Sequence, residues 1–328
     1  IIKIISLSGF GYSGTGAIHD FLRDFRDTFD VLKGRELDLF KYDYSLYNLY
    51  LKSFSKNKKI SEHDINKFLF NHFLGLPYPG GVTPDEINNR LVGSKSLLNA
   101  ILRLPRGKER TILVKDICLF AKNIFYLKNM KDQKNNLEII SQNLINNIGK
   151  YYKQKYPTKK HLILNNWIPA NIINMVNLLP EESTTIICTR EALDAYYSWS
   201  SECPRIKFNL KILIFPYLFL YFVRHIHFSK NYKLVNKNIL KNTHYIYFED
   251  FIMKNTKKNG YLFYKNLFSL DNAKKNYPLK FNPHKSKNNI NNFYRCTKLS
   301  FFKISAISFN FFLRSILNNS NFWTFSRN

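Results

Sequence analysis

The chain opens on an almost unbroken apolar run, IIKIISL (residues 1–7), which leads into SGFGYSGTG. A short apolar run bounded by glycines reads as a buried strand. Beyond it, TGAIHDFLRDF (residues 15–25) sets Ala17, Ile18, Phe21, Leu22 and Phe25 on one side of a helix. Further strand-like runs are TILVKDI (111–117), HLILNNW (161–167), TTIICTR (184–190) and THYIYFED (243–250). Helical segments separate them over 135–155, 170–178 and 191–201, with a less regular stretch through 207–241. Short apolar strands alternating with helices predict an α/β fold, with a mostly parallel central sheet covered on both faces. The polar segment from about 32 to 110, with LPYPGGVTP in its middle, reads as an insertion between the first two core strands, where an acceptor pocket could be built. There is no internal repeat, so one domain over 1–328 is expected, ending in a helical tail at about 296–328.

Two aromatic-rich runs test that picture. LKILIFPYLFLYFV (210–223) contains Lys211 and Pro216, and LSFFKISAISFNFFL (299–313) is of similar length. A membrane span needs about 20 apolar residues, so both are expected to pack in the core, with contact at a membrane surface as the alternative.

The formal net charge of +27 allows nucleic acid, anionic lipid or an acidic substrate as a partner. Lys and Asn recur in nearly every loop and no nucleic-acid-binding motif stands out, so no nucleic-acid partner is expected. Cys118, Cys188, Cys203 and Cys296 are scattered without a CxxC pair, which supports neither a zinc site nor a disulfide framework. The apolar start runs into the glycine loop without a small-residue cleavage site. The expectation is a cytoplasmic protein, at most peripheral at the inner membrane face.

A glycine loop between a strand and a helix aims backbone N–H groups and the helix dipole at an anion. Gly9-x-Gly11-x-x-Gly14 fits the dinucleotide fingerprint, and Gly9-x-x-x-x-Gly14 fits the start of a nucleoside-triphosphate loop. The triphosphate loop needs Lys after its last glycine, and Thr15-Gly16 follows instead. A dinucleotide fold wants an acidic residue at the end of its second strand; Asp30 has the spacing, but RDFRDTFD is a poor strand. A serine-hydrolase elbow fails because its closing glycine is missing. After TTIICTR, Arg190, Asp194 and Ser198 stand at spacing R-x3-D-x3-S, with the arginine at a strand's carboxyl end. An arginine fork with a serine hydroxyl suits a second phosphate.

In these motifs the chain resembles the sulfotransferases that use 3′-phosphoadenosine 5′-phosphosulfate (PAPS), and within them the bacterial glycan-type proteins. Their 5′ loop, (K/R)-S-G-T-(T/S), is similar to Tyr12-Ser13-Gly14-Thr15-Gly16, and their 3′-phosphate signature matches Arg190, Asp194 and Ser198. YIYFEDF (245–251) is similar to a family strand ending in (Y/F)-E-D, and HKSKNNINNF (284–293) more weakly to a late basic loop over the nucleotide. The likeness covers roughly residues 1–30 and 160–295. It implies a P-loop-like sulfotransferase fold and sulfuryl transfer from PAPS to a carbohydrate or glycolipid hydroxyl, without a metal. Gly11, Tyr12, Ser13, Gly14, Thr15 and Gly16 would hold the 5′ side, and Arg190 and Ser198 the 3′-phosphate. Asp194 would brace the helix and loop rather than touch the ligand. Position 12 departs from the family by being Tyr instead of a basic residue. Lys115, at the end of TILVKD, is the expected replacement cation, and Glu36 in GRELDLF the expected general base, with His19 and His72 as rivals. The competing readings are a non-catalytic nucleotide- or membrane-surface-binding protein on the same fold, and a P-loop kinase or NTPase.

Overall fold

Ile5 and Leu7 of the opening run point to one face of a sheet while Ile4 points to the other, and both faces are buried. The computed structural model describes residues 2–30, 39–40, 45–54, 59–70, 72, 107–202, 213–257, 260–271, 280–296 and 301–319. Strand β1 (Lys3–Gly9) leads through the glycine loop to α1 (Thr15–Arg23) and the short β2 (Thr28–Asp30). Helices α2 (Leu46–Ser53), α3 (Glu62–Leu69), α4 (Lys108–Tyr126) and α5 (Gln133–Lys155) precede β3 (His161–Asn165). A 3₁₀ segment (Ala170–Leu178) joins β3 to β4 (Thr184–Thr189), followed by α6 (Ala192–Glu202), α7 (Ile214–Tyr232) and α8 (Lys237–Leu240). Strand β5 (Thr243–Tyr247) then gives way to α9 (Phe248–Asn255), α10 (Gly260–Leu267), α11 (Pro283–Lys287), α12 (Asn292–Cys296) and α13 (Phe301–Asn319).

All four strand pairings among the described residues are parallel, in the order β2-β3-β1-β4-β5. This is an α/β fold with helices on both sides of a central sheet. Ile163, Ile186, Cys188 and Ile246 join Ile5 and Leu7 against α1, α9 and α10. Leu162, Leu164 and Ile187 join Ile4 against α5, the 3₁₀ segment and α7. The strand order differs from the 3-2-1-4-5 of dinucleotide folds and from the 2-1-3-4-5 of flavodoxin-like folds.

The order matters because β1 leaves toward α1 on one face while its neighbour β4 leaves toward α6 and α7 on the other. Adjacent strands whose connections diverge leave a crevice at their carboxyl ends, the usual ligand position in open α/β sheets. Gly9 stands opposite Cys188 in the β1–β4 ladder, so the glycine loop and Arg190 emerge side by side.

Three expectations fail. The run TILVKDI is the first half of α4, not a strand. Its buried positions Leu113, Ile117, Phe120 and Ile124 recur at helical spacing, a period that so short a window could not show. Conversely, the poor strand at RDFRDTFD supplies β2, whose Thr28 donates its hydroxyl to the Leu22 carbonyl at 2.7 Å. Tertiary pairing with β3 overrides its weak local preference. The strand expected over 243–250 ends at Tyr247, and Phe248, Glu249 and Asp250 begin a helix instead.

Candidate functional site

The loop from Phe10 to Gly14 turns sharply enough to need left-handed backbone at Gly11 (φ 85°), Tyr12 (φ 51°) and Gly14 (φ 90°). Glycine supplies that conformation without strain, whereas at Tyr12 it costs about 1–2 kcal/mol. Gly14 is also walled in: a methyl group there would stand 2.2 Å from the Phe248 ring. Gly14 caps α1 with no side chain, and no acidic residue occupies the first helical turn. The start of α1, from Gly14 to Ala17, lines the cleft, where opening N–H groups and the helix dipole would favour an anion. Ser13 turns the other way. It is fully buried, does not line the cleft, and its carbonyl accepts the Cys188 thiol proton at 3.0 Å. Burial pushes the Cys188 thiol up, so it stays protonated and structural.

On the adjacent strand end, the Arg190 guanidinium is buried and lies 4.8 Å over the Phe248 ring. One terminal nitrogen donates to Ser198 Oγ at 2.7 Å and the other to the Asn289 carbonyl at 2.6 Å. Its Nε has no hydrogen-bond acceptor among the described residues, and the Glu249 carboxylate is 4.0 Å away. Burial raises the Glu249 carboxyl above the usual range, which weakens it as a partner for the arginine. Arg190 and Ser198, two helical turns apart in the motif, thus converge in space. The two oxygens of Asp194 accept the backbone N–H groups of Asn291 (2.6 Å) and Phe293 (2.9 Å). The fully buried carboxylate fixes the late basic loop, and Ser286 and Asn289 of that loop line the cleft.

The glycine loop and the Arg190–Ser198 pair open into one cleft of about 980 Å³. Its far side is lined by Tyr47 and Asn48 of α2 and by Asn166 and Asn171, a ring with several amides. Two charged residues that no motif had singled out also line it. Arg224, on α7, donates to the Phe10 carbonyl at 2.9 Å, and its guanidinium lies 3.1 Å from where a side chain on Gly11 would begin. Asp20, one turn into α1, has a carboxyl raised by partial burial, an effect that His19 and Arg23 only partly counter. Neither had a readable signal: Arg224 sits in an aromatic helix well beyond the Arg190 motif, and Asp20 looks like an ordinary polar position on α1.

The chain matches no protein-family model, no curated protein and no solved structure.

Lys115, the expected replacement cation, lies on the exposed side of α4 and does not line the cleft. Glu36 falls outside the described residues. His19 is buried and holds Asp30 at 2.8 Å, with Arg23 on the other oxygen of Asp30 at 2.7 Å, so it ties α1 to β2. His72 is buried beside Phe68, away from the cleft lining. No group of three or more His, Cys, Asp or Glu among the described residues is arranged to hold a metal ion.

Behind the loop, His225 stacks on Phe10 with ring centroids 3.9 Å apart and planes 7° from parallel. Its Nδ1 faces the Tyr221 carbonyl at 2.8 Å, and complete burial lowers its pKa from 6.5 to about 4. The unfolded chain then binds a proton between pH 6.5 and 4 that the folded chain refuses, so stability is full above that window and falls on acidification. This group alone should cost about 2.5 kcal/mol between pH 7 and pH 4.5. Urea unfolding of wild type and His225→Phe at the two pH values measures it. An unchanged pH dependence in the variant would show that His225 is not the group responsible.

Proposed function

We propose that this protein is a PAPS-dependent sulfotransferase with the P-loop-like sulfotransferase fold, acting on a carbohydrate hydroxyl. The observation that carries the reading is the convergence of two anion sites, the α1 terminus and the Arg190–Ser198 pair, on one cleft. A nucleotide with both a 5′ and a 3′ phosphate spans two such sites, and the cleft volume lies in the range that small-molecule ligands occupy. Arg190 and Ser198 both line the cleft, where a guanidinium beside a hydroxyl suits a phosphate.

Arg224 takes the part that a basic residue at position 12 plays in the family. It reaches the loop from α7 instead of from within it, and supplies positive charge beside the 5′ end. In transfer, the acceptor oxygen forms a bond to sulfur as the bond from sulfur to the 5′-phosphate oxygen breaks, leaving adenosine 3′,5′-bisphosphate. The acceptor proton passes to Asp20, whose raised pKa suits a general base. Tyr47, Asn48 and Asn171 offer the mix of ring face and amides that a sugar takes. Fixed charge and positioning do the catalytic work.

A radiolabelled-sulfate transfer assay over a glycan panel tests this. Arg224→Ala should lower transfer about 10- to 150-fold, the worth of a hydrogen bond to a charged group. Asp20→Asn should remove the acid limb of the pH–rate profile. Nucleotide binding without transfer to any acceptor would favour a non-catalytic binding protein. Absence of both, with tight ATP binding, would favour an NTPase.

A further inference from the structure

The outward side of α13 is as apolar as the side that it buries. Ala306, Asn310 and Leu313 face the protein, while Ile304, Phe311, Phe312 and Ile316 are 52%, 69%, 59% and 43% exposed. Their spacing places the four on one stripe of the helix. Apolar exposure continues onto α7, where Phe215 packs edge-on against Phe309 at 5.6 Å. Phe219, one turn from Phe215, and its neighbour Leu220 are both exposed. A cluster of exposed rings of this kind marks an interaction surface rather than ordinary scatter.

Charge decides what covers it. The chain carries a formal net charge of +27, and from Asn272 to Asn328 the sequence contains Lys and Arg throughout and not one Asp or Glu. A second copy of the chain would bring the same large positive charge and be repelled. An anionic bilayer accepts both features, with rings at the acyl boundary and cations among the headgroups. No helix among the described residues is long and apolar enough to cross a membrane, so α13 would lie flat.

We infer that α13 docks in the plane of an anionic lipid surface. The helix is tied to the frame of the cleft. Asn310 and Arg314 donate to one oxygen of Glu191 at 2.8 and 2.9 Å, and the other oxygen accepts the N–H groups of Leu193 and Asp194 in α6. Docking therefore sets the distance between the bilayer and the Arg190–Ser198 site. The surface is independent of whether sulfuryl transfer is the reaction.

The test is co-sedimentation of the full chain with phosphatidylglycerol–phosphatidylcholine vesicles and with phosphatidylcholine vesicles alone, across a salt series. Wild type should pellet with the anionic vesicles and lose that binding as salt screens the charges. Phe311→Ser/Phe312→Ser should bind at least about tenfold more weakly, while circular dichroism shows it folded. No pelleting with anionic vesicles at low salt, or equal pelleting with neutral ones, overturns the proposal without any variant. Undiminished binding by the folded double variant overturns the role of α13. A concentration-dependent dimer that the double variant abolishes, without vesicle binding, would assign the face to a second copy and overturn the lipid assignment.

Discussion

Arg190→Ala is expected to weaken adenosine 3′,5′-bisphosphate binding by roughly 150-fold, about 3 kcal/mol, while leaving AMP within a few-fold of wild type. The difference isolates the 3′-phosphate, the group that AMP lacks. Arg190 is buried, and the cleft already holds its guanidinium against Ser198 and the Asn289 carbonyl. Its side chain is thus ordered before a ligand arrives, and little entropy is lost on contact. Arg190→Lys keeps the charge but not the fork, and should fall between the two. Calorimetry with both nucleotides reads the effect. Equal losses for AMP and the bisphosphate would mean that Arg190 does not hold a 3′-phosphate, and with that the sulfotransferase reading fails.

Gly14→Ala should damage fold and site together. The residue sits at φ 90°, which costs a residue with a side chain about 1–2 kcal/mol. The new methyl group would also meet Phe248 at 2.2, 2.7 and 3.0 Å, contacts that reach back along the side chain to its root. Phe248 is buried and lies under the Arg190 guanidinium, so it cannot step aside without moving Arg190. Overpacking of this kind costs about 1–3 kcal/mol, for a combined loss of about 3–4 kcal/mol in urea unfolding. Nucleotide affinity should drop in parallel as the α1 terminus shifts. Adding Phe248→Ala to Gly14→Ala relieves the clash but deletes a buried ring and the face beneath Arg190, a loss of about 3–5 kcal/mol by itself, so the double variant should be no more stable than Gly14→Ala. A Gly14→Ala protein within about 0.5 kcal/mol of wild type would show that the loop can relax in a way the packing around Phe248 denies.

His225 links the loop to acid stability through a contact that the sequence hides. Its partner Phe10 lies near the opposite end of the chain, and burial between the two keeps the imidazole neutral. His225 also faces Thr189, the last residue of β4, with Nε2 3.4 Å from the hydroxyl. Protonation would thus act on the strand end from which Arg190 emerges.

The alternation of apolar strands with helices was enough to predict an α/β fold with a parallel sheet, because buried parallel strands must be apolar on both sides. The sequence alone also placed the glycine loop before α1 and set Arg190, Asp194 and Ser198 at helical spacing after β4. Those are local facts, each written within one short stretch of chain. TILVKDI shows where local reading stops: a brief apolar-rich run suits a strand or a helix, and only the packing of α4 on α5 and α3 chose. Strand order was invisible for the same reason, since β1 and β4 pair across most of the first half of the chain. That pairing brings the glycine loop and Arg190 to one cleft. Arg224 and Asp20 enter the cleft because α7 and α1 lie beside it, not because of any spacing in the chain. The exposed stripe of α13 is legible only once its other side is seen to be buried. Local sequence determines what each segment can bury and which chemistry it carries. The partner that each segment buries against, and hence which charges share one cleft, is decided by long-range packing.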